Sequence, residues 1–97
     1  MNVVSRPKII EAQQRHPRCR KWLDSWWRIA KRERWTNLID VRLTYPSADQ
    51  VGGYLVFDAP EAKRLIVGVR YANPQRGGTL FVKALLTHAD YERGDWK

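Results

Sequence analysis

The chain has 97 residues, and its 18 Lys and Arg outnumber 10 Asp and Glu for a net charge of +8. That length implies one domain, 1–97, and a composition 43% hydrophobic and 29% charged fits a packed globule rather than a disordered chain. The single cysteine, Cys19, excludes an internal disulfide and a four-cysteine zinc site. No apolar run approaches the roughly 20 residues of a membrane span. The N-terminal Met1-Asn2-Val3-Val4-Ser5-Arg6-Pro7 has no signal-peptide apolar core, so a soluble cytoplasmic protein is expected.

The charge is uneven. Residues 1–44 hold eleven bases and four acids, whereas residues 45–97 hold seven bases and six acids. A small basic domain carries the electrostatic footprint of a polyanion binder, nucleic acid first. The plainer alternative is a solubilising surface.

Val3-Val4 reads as a short first strand. Ser5 is expected to N-cap a helix with Pro7 in its first turn, where the missing N–H costs nothing. Ile9, Ile10 and Ala12 give it an apolar side, and His16-Pro17 ends it. A second helix is predicted from about Arg18 to Arg34. Trp22, Trp26 and Ile29 recur at helical spacing, Leu23, Trp27 and Ala30 widen the stripe, and Asp24 and Arg28 form a surface pair. Tryptophans so spaced more often pack in a core than stack on RNA bases. Asn37 to Val41 suggests a helical turn, Tyr45-Pro46-Ser47-Ala48-Asp49 a loop turn, and Gly52-Gly53 a break. Three strands follow: Tyr54–Asp58, Lys63–Tyr71 and Thr79–Leu86, with a hairpin loop at 73–78. Helices followed by hairpin-linked strands argue an α+β fold, with two N-terminal helices on one face of a small, mostly antiparallel sheet.

Alternation along the strands then sorts side chains by face. Leu65, Val67, Val69 and Tyr71, with Leu80, Val82, Ala84 and Leu86, are the expected floor for the helices. The other face carries Arg64, Ile66, Gly68 and Arg70 on one strand and Thr79, Phe81, Lys83 and Leu85 on the other. It is expected to be free of helices and to show Arg64, Arg70 and Lys83 among apolar neighbours, with Gly68 leaving room for a ligand. One register would set Ile66 opposite Lys83, but the pattern does not choose a register. An ordinary solvated sheet face is the competing explanation.

Thr87 with Asp90 three residues on resembles a capping box and predicts a helical turn at the end of the third strand. His88 and Tyr91 would then share a side at i,i+3. Together with nearby cations they suggest an acid–base and phosphate-binding group, against the alternative of a capping His and a packed Tyr. His16 is expected as a cation at a helix end. Cys19, on a helix rich in cations, is open to a lowered pKa but has no His partner to make it a nucleophile. Gly52-Gly53 lacks the pattern of a phosphate loop.

These residues carry a family resemblance. Tyr45-Pro-Ser-Ala-Asp49, Leu55-Val-Phe-Asp58, Arg64-Leu-Ile-Val67 and Thr87-His-Ala-Asp-Tyr91, with the Trp-rich helix and Trp35-x-Asn37, resemble the HigB-type toxins of bacterial toxin–antitoxin pairs, within the RelE-like superfamily of messenger-RNA endonucleases. The resemblance spans nearly the whole chain. It implies a RelE-like α+β fold and cleavage of messenger RNA on the ribosome. It also implies neutralisation by a helix-turn-helix antitoxin of the HigA type, which would make any contact with DNA indirect. Catalytic or phosphate-binding roles fall on Arg64, Lys83, His88 and Tyr91. The family often has Arg where this chain has Lys83, and a Gly-Gly-Asn turn where it has Asp58-Ala59-Pro60-Glu61.

The reaction so implied is attack of the ribose 2′-OH on the adjacent phosphate, with no metal and no cofactor. Arg64 would stabilise the charge growing on phosphorus. Lys83 would assist it or act as base, His88 would transfer protons, and Tyr91 would orient the substrate or move a proton. Arg70 and the helix cations Arg20, Lys21, Lys31, Arg32 and Arg34 would bind RNA phosphates, those of the ribosome included. Two other readings compete: a non-catalytic RNA- or ribosome-binding module, and a toxin acting through protein contacts of the Trp-rich helix.

Overall fold

Two hydrophobic periodicities, one of 3.6 and one of 2, meet along the buried side of a twisted sheet. The computed structural model describes all residues, Met1–Lys97. In chain order they form β1 (Asn2–Val4), α1 (Arg6–Arg15), a 3-10 turn (Pro17–Cys19), α2 (Arg20–Arg32), α3 (Leu38–Thr44), β2 (Asp49–Val51), β3 (Tyr54–Ala59), β4 (Lys63–Arg70), β5 (Thr79–Leu86) and α4 (His88–Arg93). The sheet has five strands in the order β1-β5-β4-β3-β2. Only β1, which runs parallel to β5, departs from antiparallel pairing. The fold is the expected α+β arrangement, with α1 and α2 on one face.

The α2 stripe behaves as core. Leu23, Trp26 and Ala30 are buried, while Trp22 and Trp27 pack at the margin. Trp26 meets Phe57 of β3 edge-on at 5.5 Å, and Trp35 lies 6.1 Å from the same ring. Tyr45 completes the cluster 5.2 Å from Phe57. Burial, with the Glu33 charge adding to it, pushes the Tyr45 hydroxyl up to about 12. Leu55, Leu65, Val67, Leu80 and Val82 supply the sheet side of this core.

Several local expectations change. Ser5 makes no side-chain cap: it sits at φ 74°, a left-handed kink that turns the chain from the sheet edge into α1 within one residue. The predicted second helix opens with the separate 3-10 turn before α2. The turn expected over 37–41 extends to the helix α3. Its first turn is fixed by Asn37, whose side chain accepts from the Asp40 amide at 2.9 Å. Asp40 in turn accepts from the Thr36 hydroxyl at 2.6 Å and amide at 2.9 Å, which holds its carboxyl below the ordinary range. The stretch read as turn and break contains the edge strand β2, joined to β3 through Gly52 at φ 58°.

The largest correction is in β5. Its pairing with β4 runs Gly68 to Phe81 and Val67 to Val82, then resumes at Ile66 to Ala84. Lys83 is the extra residue of a β-bulge, and beyond it the alternation reverses. Leu85 therefore packs against the helix-side core, while Leu86 joins a second cluster on the other face. Both residues stand on the face opposite to the one simple alternation assigns.

His16 is also not the expected cation. Burial, followed by the charges of Lys63 and Arg15, holds its pKa below the ordinary 6.5. The unfolded chain then binds the proton before the folded one does, so stability rises with pH between the depressed folded value and 6.5. Unfolding free energy should accordingly fall as pH is lowered through this window. His16→Gln should flatten that part of the profile in urea titrations; an unchanged slope contradicts the assignment.

Candidate active site

Residues directly opposite each other on neighbouring strands share a face. On the face away from α1 and α2, one row holds Val4, Phe81, Gly68 and Tyr54, the next Ile66 and Val56, and a third Leu86, Arg64 and Asp58. This face is not helix-free as expected. The chain crosses back through α4, and Trp96 lands on Val56 and Ile66 with Tyr54, Leu86 and Tyr91 around it.

Arg64 lies near the start of the central strand β4. Its Nε forms an ion pair with Asp58 Oδ1 at 3.1 Å, and its Nη1 donates to the Lys63 carbonyl at 3.2 Å. The guanidinium carbon is 5.6 Å from the centre of the Tyr91 ring. The β5 bulge aims Lys83 across the same face. Its ammonium donates to the Tyr54 hydroxyl at 3.0 Å and the Trp96 carbonyl at 3.0 Å, and lies 4.6 Å from the Tyr54 ring centre. An ammonium has three N–H bonds, so one remains for an incoming anion.

Thr87 starts α4 as expected, its side chain accepting from the Asp90 amide at 3.1 Å. Asp90 supplies the other half of no capping box; it pairs with Arg93 at 2.7 Å. Tyr91 stacks on Trp96 with ring centres 5.2 Å apart and planes within 15°. The Trp96 indole N–H donates to the Tyr91 carbonyl at 2.9 Å. His88 stands apart from this packing. Its side chain is 60% exposed, and Nε2 lies 3.7 Å from Glu92 Oε1. His88 and Tyr91 thus share the short helix α4, one at the rim and one against the sheet.

The structure brings Arg64 and Tyr91 together directly, and links Lys83 to both rings through Trp96 and Tyr54. Arg70 is exposed at the far end of β4, beyond Gly68. Arg20, Lys21, Lys31, Arg32 and Arg34 belong to the helix layer on the opposite side. There Lys31 sits 4.1 Å from the Trp27 ring centre, and Arg34 donates to the Asn73 carbonyl at 2.6 Å. Three contributors escape the sequence pattern: Asp58, Tyr54 and Trp96. Trp96 is 6% exposed although it lies in the polar tail Gly94-Asp95-Trp96-Lys97. A large aromatic in such a tail is itself the signal of a packing partner.

The largest cleft, about 580 Å³, lies between α1 and the end of β5, with Lys8, Glu11, Arg15 and His16 along one wall and Lys83, Thr87 and Asp90 along the other. An open face suits a chain-like substrate better than a closed pocket. No three His, Cys, Asp or Glu side chains converge as a metal site would require. Cys19 is buried and donates to the Pro60 carbonyl at 3.4 Å. Burial pushes its thiol up, outweighing the pull of Lys63, so the cation-rich helix does not lower it. No helix is long and apolar enough to cross a membrane.

Fold and face together define a class: a basic α+β protein with cations and aromatic rings gathered on one side of a small sheet. Within it, the model of the HigB toxin family, the RelE-like toxic component of a toxin–antitoxin system, matches residues 19–94, and the chain belongs to that family. Membership implies an antitoxin partner. A search of curated proteins found no match to the chain.

Trp96 ties the tail to the site through one stack and two hydrogen bonds. Trp96→Ala should lower unfolding free energy by about 2–3 kcal/mol, near the lower end for a buried aromatic at a core margin. Urea titration checks this, and an unchanged midpoint would show that the tail adds nothing.

Proposed function

We propose that the chain, acting as a single toxin domain over 1–97, is a ribosome-associated endoribonuclease that cuts messenger RNA in the cytoplasm and so inhibits translation. The observation that carries this is the convergence of Arg64, Lys83 and Tyr91 on one face in a chain of the HigB toxin family.

Cleavage by the 2′-OH requires four things: in-line alignment, removal of the 2′ proton, charge stabilisation at phosphorus, and protonation of the leaving 5′-oxygen. The O2′–P bond forms as the P–O5′ bond breaks, leaving a cyclic phosphate and a 5′-hydroxyl. DNA lacks the attacking group and should survive. Arg64 is held at its edge by Asp58 and presents the rest of its planar fork to the phosphate. Lys83 adds a second cation with a free N–H, or serves as base. His88, at the rim of α4, exchanges protons with the reacting oxygens, a task for which imidazole is chemically suited. Tyr91, backed by Trp96, orients the substrate or transfers a proton. Neither metal nor cofactor enters this scheme. The helix cations face away from this surface and would meet ribosomal RNA phosphates. A HigA-type helix-turn-helix antitoxin would neutralise the toxin and make its link to DNA indirect.

Inducible expression in a bacterial host, with 5′-end mapping of messages, tests this. Wild type should produce cuts within translated frames. Arg64→Ala and His88→Ala should each reduce them about 100-fold or more. Growth arrest with intact messages would overturn the nuclease reading and favour a non-catalytic RNA- or ribosome-binding module.

Asp58 competes with phosphate for Arg64. Asp58→Asn should therefore tighten binding of a 2′-O-methyl RNA oligonucleotide by about 3-fold or more, since an exposed ion pair is weak. Fluorescence anisotropy at fixed salt reads the change; weaker binding would mean that Asp58 serves mainly to position Arg64.

A further inference from the structure

Phe81 has no role in the site as described, and it is the one large aromatic on this face left uncovered. Val56 and Ile66 lie beneath Trp96, and Tyr54 meets the Trp96 ring edge-on at 6.1 Å. Phe81 is 43% exposed and its β1 neighbour Val4 is 37% exposed. Across β4, its direct partner is Gly68, and beyond Gly68 comes Tyr54.

Neither crowding nor backbone conformation requires that glycine. A Cβ at Gly68 would lie 3.6 Å from the Phe81 Cβ and 3.9 Å from Cδ2, both ordinary contacts, and Gly68 is not among the positive-φ glycines. The missing side chain lets the Phe81 ring lean over the strand at Gly68, with Cδ2 in ordinary contact range of where a Cβ would stand. Cations flank the ring on the same face. Lys83 follows Phe81 by two residues on β5, and Arg70 follows Gly68 by two on β4. The row Val4–Phe81–Gly68–Tyr54 contains no carboxylate. An uncovered ring flanked by cations matches the two parts of a single-stranded nucleotide: a flat base and the phosphates on either side of it.

We infer that Phe81, lying over Gly68, is a stacking platform for a base of the RNA strand next to the cleavage site. This rests on the ribonuclease reading of the face. Arg64 and Gly68 are four residues apart along β4, about 13 Å. The stacked base therefore belongs to a nucleotide neighbouring the scissile phosphate, and Phe81 is a positioning residue rather than a catalytic one. Stacking is tolerant of base identity but favours the larger rings, so the platform also biases which nucleotide sits there.

The test uses the purified full chain, ribosomes programmed with a short message, and cleavage kinetics for wild type, Phe81→Ala, Phe81→Leu, Phe81→Trp, Gly68→Val and Arg64→Ala. Phe81→Ala and Phe81→Leu should lower kcat/KM about 10-fold or more, as loss of one base stack does. Phe81→Trp should restore it, and Gly68→Val, whose branched side chain displaces the ring, should behave like Phe81→Ala. The salt dependence of KM should stay as in wild type for the Phe81 variants, because no phosphate contact is lost. Circular dichroism confirms that each variant folds. If wild type cuts and Arg64→Ala does not, while Phe81→Ala or Phe81→Leu cuts the same positions at the wild-type rate, the stacking assignment falls alone. If wild type leaves the programmed message intact, the nuclease reading falls and takes this inference with it.

Discussion

The single extra residue in β5 governs what the sheet can offer. Without the bulge at Lys83, strict alternation would send Leu86 into the helix-side core and leave Leu85 outside. With it, Leu80, Val82 and Leu85 all reach the core, while Leu86 joins Lys83 on the opposite face. A bulge sacrifices regular pairing and sharpens local twist, and bulges are found where a strand must re-aim a side chain. Here the re-aimed side chains are Leu85 and Leu86, and the extra residue, Lys83, is a cation held by a carbonyl, a hydroxyl and a ring. That Lys83 is fixed and not trailing in water follows from those three contacts.

Those contacts depend on a second, smaller core. Val56, Ile66 and Trp96 form it, with Tyr54, Leu86 and Tyr91 packed around. Trp96 lies outside the family-matched stretch 19–94, yet it carries the stack on Tyr91 and the carbonyl that anchors Lys83. The tail does with one indole what a covering helix would otherwise do: it dries one patch of the sheet. An apolar patch beside a charge strengthens that charge's interactions, because water no longer screens it as fully. The same patch orients Tyr91 toward Arg64.

Much of this was legible in the chain. Trp22, Trp26 and Ile29 fix α2 because a 3.6-residue stripe of that size has one place to go. Thr87 and Asp90 announce α4, and the expected strands Lys63–Tyr71 and Thr79–Leu86, read from their alternation, match β4 (Lys63–Arg70) and β5 (Thr79–Leu86). Failures came where tertiary packing overrode local signals. Ser5 looks like a cap, but the turn from sheet edge to helix demands a left-handed residue there. Asp49–Val51 reads as loop because a three-residue edge strand is defined by its partner β3 and not by its own pattern. The bulge is invisible for the same reason: register belongs to a pair of strands, and no property of Lys83 alone signals it. Trp96 has no periodic neighbours in a tail of Gly, Asp and Lys, so its identity is the one hint of an anchor and its place on the sheet is not legible.

The layered fold also separates two kinds of positive charge. The surplus in residues 1–44 lies mostly on α1 and α2, on the far side of the sheet from Arg64 and Lys83. Helix cations there are exposed and, at Lys31, rest on an aromatic ring, so they act through the field they project. Arg64 and Lys83 are instead pinned by named partners within a few ångströms. A diffuse cationic field raises the local concentration of any polyanion but selects no geometry. Pinned cations beside stacked rings do select geometry, and in the proposed function they would need the diffuse field only to bring a strand within reach. With a sheet between the two surfaces, one short RNA segment would then not engage both. If the far surface is held by a large polyanion such as ribosomal RNA, the open face is left free for a separate strand, and each surface can be altered without rebuilding the other.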